Sequence, residues 1–220
     1  MFHPNMLPGR VICDPTLTVS LPKELTAATG MDALSHNLEA YCSNVFHPMA
    51  EGIAVEGIRL INIALQKAVV DGENLLARAQ MLAASTMGAT AFQKGLGAMH
   101  AIAHAVGAMF DAQHGLINAV LMPYVLLYNR SAIDEKLTRL AHSLQFSDPT
   151  FDGFLEWVLS MRENIGIPDT LSDIGVSDEH AETLAANAAK DPSGSTNPVP
   201  MEMADFQTLI QKAIEGDLTD

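Results

Sequence analysis

Histidine is an uncommon side chain. Three of this chain's eight, His100, His104 and His114, fall in one stretch, GLGAMHAIAHAVGAMFDAQHG, between Gly95 and Gly115. His100 and His104 are four positions apart and share a face on a helix. A second pair with that spacing, Asp32 and His36, lies in MDALSHNLEAY. Such pairs are what a helix offers to a metal ion, and helical metal sites are built from side chains converging across facing helices. Three imidazoles and one carboxylate suit Zn2+ or Fe2+ better than Mg2+ or Ca2+, which favour oxygen ligands. A lone histidine on an apolar helix is more often a hydrogen-bonded core or edge residue. Two such pairs and a third histidine, set among apolar and small residues, would be expensive to bury without a shared partner. Spacing alone pairs His100 with His104 as ligands.

The segments carrying these residues read as helices. KELTAATGMDALSHNLEAYCSN is rich in Ala and Leu, with a break expected at Gly30. In HPMAEGIAVEGIRLINIALQKAVVDG, Ile53, Gly57, Leu60, Ile61 and Ala64 repeat at helical spacing, and Val55, Ile58, Ile63 and Leu65 fill much of the other side. That pattern predicts a helix buried nearly all round. ENLLARAQMLAASTMGATAFQKG offers a face of small residues for close helix contact. HGLINAVLMPYVLLYNRSA reads as an apolar helix interrupted at Pro123. AIDEKLTRLAHSL, DGFLEWVLSMRENIG, DEHAETLAANAAKD and ADFQTLIQKAIEG read as separate amphipathic helices, with SDPT, IPDTLSDIG and DPSGSTNPVP as turns between them. VICDPTLTVSLP, with its β-branched residues between prolines, reads as one short extended piece and a linker. The expected fold is all-α, a bundle of roughly seven to nine helices. Residues 1–21 are expected to form an extended segment and 22–220 one all-helical domain.

Two of these stretches resemble a known family. GMDALSHNLEAY, preceded by LTAATG, resembles the opening of the C-terminal helical domain of the iron-containing (group III) alcohol dehydrogenases. GLGAMHAIAHAVGAMFDAQHGLINAVLMPYVLLYN resembles that family's second signature, ICDPTLTVSLP its interdomain segment and STNPVP its late loop. The resemblance implies that Asp32, His36, His100 and His114 are metal ligands, replacing the pairing of His100 with His104. It implies that His104 lies near nicotinamide and substrate, as a positioning or proton-relay residue. Ala105 stands where some relatives have proline. Fe2+ or Zn2+ as Lewis acid, NAD or NADP as cofactor, and a small-molecule primary alcohol, diol or aldehyde as substrate are the further expectations.

The other histidines carry no such expectation. His47 precedes a helix, His142 and His180 lie on amphipathic helices, and His3 is in the tail. Glu39, one turn past His36, is either a partner of a ligand or a solvated or capping residue, and Asn118, one turn past His114, either orients a ligand or pairs with backbone. Met99, Met109 and Phe110 read as core or as wall of a substrate cavity. The family's dinucleotide-binding domain is absent here: thirty-one residues precede Asp32, and Gly95, Gly97, Gly107 and Gly115 read as packing and turn glycines rather than a phosphate loop. The chain therefore corresponds to the catalytic, metal-binding half of such an enzyme. A non-catalytic metal-binding module that needs a nucleotide-binding partner is the alternative, and a helical metal-dependent hydrolase a remote one.

Bulk properties narrow the partners. Of 220 residues, 48 % are hydrophobic, enough for a buried core, and a net charge of −14 with 12 Lys plus Arg leaves no basic patch for nucleic acid or an anionic membrane. No continuous apolar run reaches the ~18 residues of a membrane span. Cys13 and Cys42 form no paired motif, which predicts a reducing, cytoplasmic setting. An apolar face exposed by the missing domain predicts self-association into a homo-oligomer.

Overall fold

The computed structural model describes residues 8–219, so His3 lies outside the described residues. Eight α-helices account for the fold, and no strand occurs among the described residues. They are α1 (Lys23–Cys42), α2 (Pro48–Val70), α3 (Leu75–Ala91), α4 (Ala98–Phe110), α5 (His114–Ser143), α6 (Phe151–Ile165), α7 (Ala181–Ala188) and α8 (Met203–Glu215). Helix α1 packs against α2, α3 and α5, while α4 packs between α5 and α7, and α7 lies on α8.

Helix ends follow local chemistry. Asn74 caps α3 by accepting the N–H of Ala77, Thr150 caps α6 through Gly153, and Glu202 and Asp205 form a reciprocal box at the start of α8. His47 caps α2, its Nδ1 accepting from the N–H of Ala50 at 3.2 Å. Helix α4 stops at Asp111, which adopts the left-handed conformation with φ 51°, a state aspartate tolerates better than most residues. The chain reverses there, and three residues later α5 begins at His114.

Three local expectations are corrected. Helix α1 runs unbroken through Gly30, whose missing side chain makes room for Leu65 of α2: a Cβ there would overlap the Leu65 side chain. Pro123 does not interrupt its helix, and the two helices expected to meet at Ala132 are one, α5. Val120, Leu121, Met122, Val125 and Leu126 around Pro123 are all buried. At about 1.5–3 kcal/mol per buried side chain, they outweigh the roughly 3 kcal/mol of an interior proline. By length and composition α5 also qualifies as a membrane span, with a hydropathy of 1.2 over its most apolar window, yet 67 % of that window is buried inside the bundle, as in a core helix. Lastly, the segment read as extended holds a 3₁₀ turn at Pro15–Thr18, capped by Asp14, which accepts the N–H of Thr16 at 2.9 Å.

Helix α2 is buried along Ala54, Ile58, Ile61 and Leu65, but Arg59, Gln66 and Lys67 reach solvent, so its burial is broad rather than complete. Met99 is buried and Met109 is 38 % exposed, which leaves only the first in the core.

Candidate metal centre

Three helices aim polar side chains at one point. Asp32 and His36 come from α1, His100 from the first turn of α4, and His114 from the first residue of α5. One ligand atom from each of Asp32, His36 and His100 lies within 4.8 Å of the others. His114 stands beside this trio, its Nε2 3.6 Å from Asp32 Oδ1. The His36 and His100 rings stack with centroids 4.7 Å apart, and the His114 ring lies 5.3 Å from that of His100. The close approach of α5 to α1 depends on Gly115, where a Cβ would fall 2.8 Å from Asp32 Cβ and overlap the Ala28 carbonyl oxygen.

Asn118, one turn along α5 from His114, lies among these groups. Its Nδ2 donates to Asp32 Oδ1 at 2.8 Å and faces His114 Nε2 at 3.1 Å and His100 Nε2 at 3.3 Å. One amide carries two hydrogens and cannot satisfy three acceptors. Its own Oδ1 is buried with no hydrogen-bond partner among the described residues. A surplus of converging lone pairs with too few donors is the donor chemistry that a cation completes, so these residues fit a divalent metal.

Electrostatics agree with that fit. Burial pushes His36 down to about 4, with Asp32 pulling the other way and His100 and His114 adding to the depression. Burial also lowers His114 against the pull of Asp32. Neutral imidazoles keep the lone pair that a metal binds. His100 is raised instead: burial acts downward, but its hydrogen bond to Glu39 and that carboxylate's charge overcome it.

Each α4 histidine has a carboxylate on its Nδ1. His100 Nδ1 meets Glu39 Oε2 at 2.7 Å, and His104 Nδ1 meets Asp191 Oδ2 at 2.9 Å. The His104 ring stacks on His114, centroids 5.3 Å apart, and its side chain is 44 % exposed. Thus His104 borders the cluster at its solvent side. Asp191 is held low: burial acts upward, and bonds from Ser193 and His104 outweigh it. It opens a 3₁₀ turn, Pro192–Thr196, that is fastened to the start of α4. Thr196 Oγ1 donates to the Leu96 carbonyl at 2.7 Å, and Asn197 Oδ1 accepts the N–H of Ala98 at 3.1 Å.

The spacing of His100 and His104 puts both on one face, but the structure gathers His100 and His114 around Asn118 and leaves His104 at the rim. Asp191 was not evident in the sequence. It is 87 positions from His104, and the only local signal is the nearby STNPVP. His142 is exposed, and His180 lies in a 3₁₀ turn against the edge of Phe110, ring centroids 5.1 Å apart, so neither joins the cluster.

The structure is an all-helical bundle in which one carboxylate and three imidazoles, carried on three helices, come together. The Fe-containing alcohol dehydrogenase family, C-terminal part, matches residues 26–214, and the chain belongs to that family. It is 36 % identical to the 4-hydroxybutyrate dehydrogenase of Cupriavidus necator, over 97 % of this chain and 58 % of that protein. It is 37 % identical to the NAD-dependent methanol dehydrogenase of Bacillus methanolicus, over 96 % of this chain and 57 % of that protein. The crystal structure of a 1,3-propanediol oxidoreductase superposes with a TM-score of 0.88 at 37 % identity, covering 91 % of this chain and 55 % of that one. The chain thus spans little more than half the length of these relatives.

Proposed function

We propose that this chain is the metal-binding, catalytic half of a cytoplasmic NAD(P)-dependent alcohol dehydrogenase that moves hydride between a primary alcohol or diol and the nicotinamide. The observation that carries the reading is the clustering of Asp32, His36 and His100, with Asp32, His100 and His114 converging on the Asn118 amide, which has too few hydrogens to satisfy them. Family membership supplies the reaction class. The relatives named above are described as acting on 4-hydroxybutyrate, methanol and 1,3-propanediol, each of which carries a primary hydroxyl.

In this reading Asp32, His36, His100 and His114 would hold Fe2+ or Zn2+. A cation bound there would supply Lewis-acid polarisation of an alcohol or carbonyl oxygen. Asn118 orients Asp32 and the two imidazoles it faces. His104, its Nδ1 engaged by Asp191 and its side chain partly exposed beside the cluster, keeps Nε2 to hold or pass a proton. Nucleotide affinity would come with a dinucleotide-binding domain, in a longer chain or a partner, and with assembly into an oligomer.

The test is to load the chain anaerobically with Fe2+, and separately with Zn2+, measure bound metal, and follow reduced nicotinamide with NAD or NADP and a panel of short alcohols and diols. Stoichiometric metal that is lost in His114→Ala, with metal-dependent turnover lost in His100→Ala, is the expected result. Bound metal without turnover would restrict the chain to a metal-binding module, and absence of bound metal would overturn the reading.

A further inference from the structure

Glu39 is 6 % exposed. A carboxylate this deeply buried needs strong donors, and it has three: the N–H of Gly97 on Oε2 at 2.9 Å, the N–H of Met99 on Oε1 at 2.8 Å, and His100 Nδ1 on Oε2 at 2.7 Å. The two amides belong to the first turn of α4, where unpaired N–H groups and the helix dipole favour a negative charge. Capping therefore accounts for two of the contacts. The third is the shortest and falls on a residue of the metal cluster.

The opposite end of the same joint is held by a cation. Lys94, in the 3₁₀ turn before α4, has a fully buried ammonium whose three hydrogens are shared among the carbonyls of Ala40 at 2.9 Å, Tyr41 at 3.2 Å and Ser43 at 2.9 Å and Glu51 at 2.9 Å. Ala40 and Tyr41 lie in the last turn of α1 and Ser43 is its C-cap. So a carboxylate of α1 caps the start of α4, and an ammonium ahead of α4 caps the end of α1. Both are capping contacts of the α1–α4 joint. Only Glu39 touches an imidazole of the cluster.

We infer that Glu39 is a positioning residue for the metal site, one that binds Nδ1 of His100 and thereby presents Nε2 to Asp32, His114 and the cation. The inference rests on the metal-site reading above. An imidazole ring can be seated two ways about χ2. With Nδ1 engaged by Glu39, the ring is locked and Nε2 is left 3.3 Å from Asn118 Nδ2, facing the cluster. A carboxylate on the far nitrogen also makes the ligating nitrogen more basic, and loss of such a partner typically weakens metal binding by about 10–100-fold.

The test compares the wild-type chain, Glu39→Gln and Lys94→Met. Metal affinity is measured by chelator competition, thermal stability without metal by melting, and the His100 tautomer in the metal-free wild type by long-range 1H–15N NMR above the imidazole titration range. The expected result is a His100 protonated at Nδ1, about 10-fold or greater loss of metal affinity in Glu39→Gln, and in Lys94→Met a lower melting temperature with affinity held within about twofold. A role in capping alone predicts that both variants lose stability and neither loses affinity, and that result overturns the inference. So does a wild-type His100 protonated at Nε2, which needs no variant to fold. Wild-type protein that binds no metal while His100 is protonated at Nδ1 would refute the metal reading and uphold the orientation.

Discussion

Replacing Gly115 by alanine tests whether the approach of α5 to α1 sets the metal cluster. The new Cβ would fall 2.8 Å from Asp32 Cβ and 3.0 Å from the Ala28 carbonyl carbon, and would overlap the Ala28 oxygen. Ordinary contact begins near 3.4 Å, so the deficit at Asp32 alone is 3.4 minus 2.8, or 0.6 Å. The obstructing atoms are backbone and a Cβ, which cannot rotate away. The helices must therefore part by at least that amount, carrying His114 away from Asp32, with which it is now at 3.6 Å. Overpacking of this kind costs about 1–3 kcal/mol of stability. A shift approaching 1 Å at a ligand would weaken metal binding by about 10-fold or more. Gly107→Ala is the matched control: its Cβ would meet Ile117 Cδ1 at 3.7 Å and the Ala112 oxygen at 3.8 Å, both ordinary contacts. Inside α4 that change should be neutral or stabilise by about 0.5–1 kcal/mol. Urea denaturation and chelator competition on both variants are the assays. Equal stability in the two, with unchanged metal affinity in Gly115→Ala, would refute the claim that this contact positions the site.

Burial pushes the Cys42 thiol up to about 12, whereas Cys13 is exposed. Iodoacetamide at about pH 8 should alkylate the folded chain once, at Cys13, and twice only after denaturation; a second adduct on the folded chain, found by mass spectrometry, would contradict the packing around Cys42. The metal-free chain should lose stability as the pH falls from 6.5 toward about 4, because His36 is depressed across that range and the unfolded chain binds more protons there. His114 acts in the same sense, while raised His100 opposes it, its contribution being full below its unfolded value and fading as pH climbs past the folded one. The His36 gap, at about 1.36 kcal/mol per pH unit, limits its share to about 3 kcal/mol. Urea titrations that show level or rising stability on acidification would contradict this balance.

What the sequence discloses and what it hides divide along one physical line. Asp32, His36 and His100 are marked by residue type and short-range spacing, and the all-helical class by apolar periodicity; both are local signals, whereas spacing pairs His100 with His104 and His114 enters the ligand set only through the family resemblance. Gly30 and Pro123 mislead for the opposite reason. Taken locally, one is a weak point and the other a breaker, yet each is overruled by distant packing: Leu65 over Gly30, and the buried residues that flank Pro123 along α5. Of the carboxylates on the α4 histidines, Asp191 belongs to that second group, while Glu39 is flagged by its place one turn past His36 but not resolved between partner of a ligand and solvated or capping residue. Glu39 lies 61 positions from His100 and Asp191 lies 87 from His104. No periodicity spans such gaps, and a glutamate on α1 has the same composition whether it is solvated or buried. The fold converts one into the other by seating the first turn of α4 on Glu39. Because that one carboxylate both caps the helix and holds the imidazole, positioning His100 and starting α4 at Ala98 become the same event. Once α1 and α4 are docked, His100 is oriented by the burial and backbone hydrogen bonding that fold the bundle.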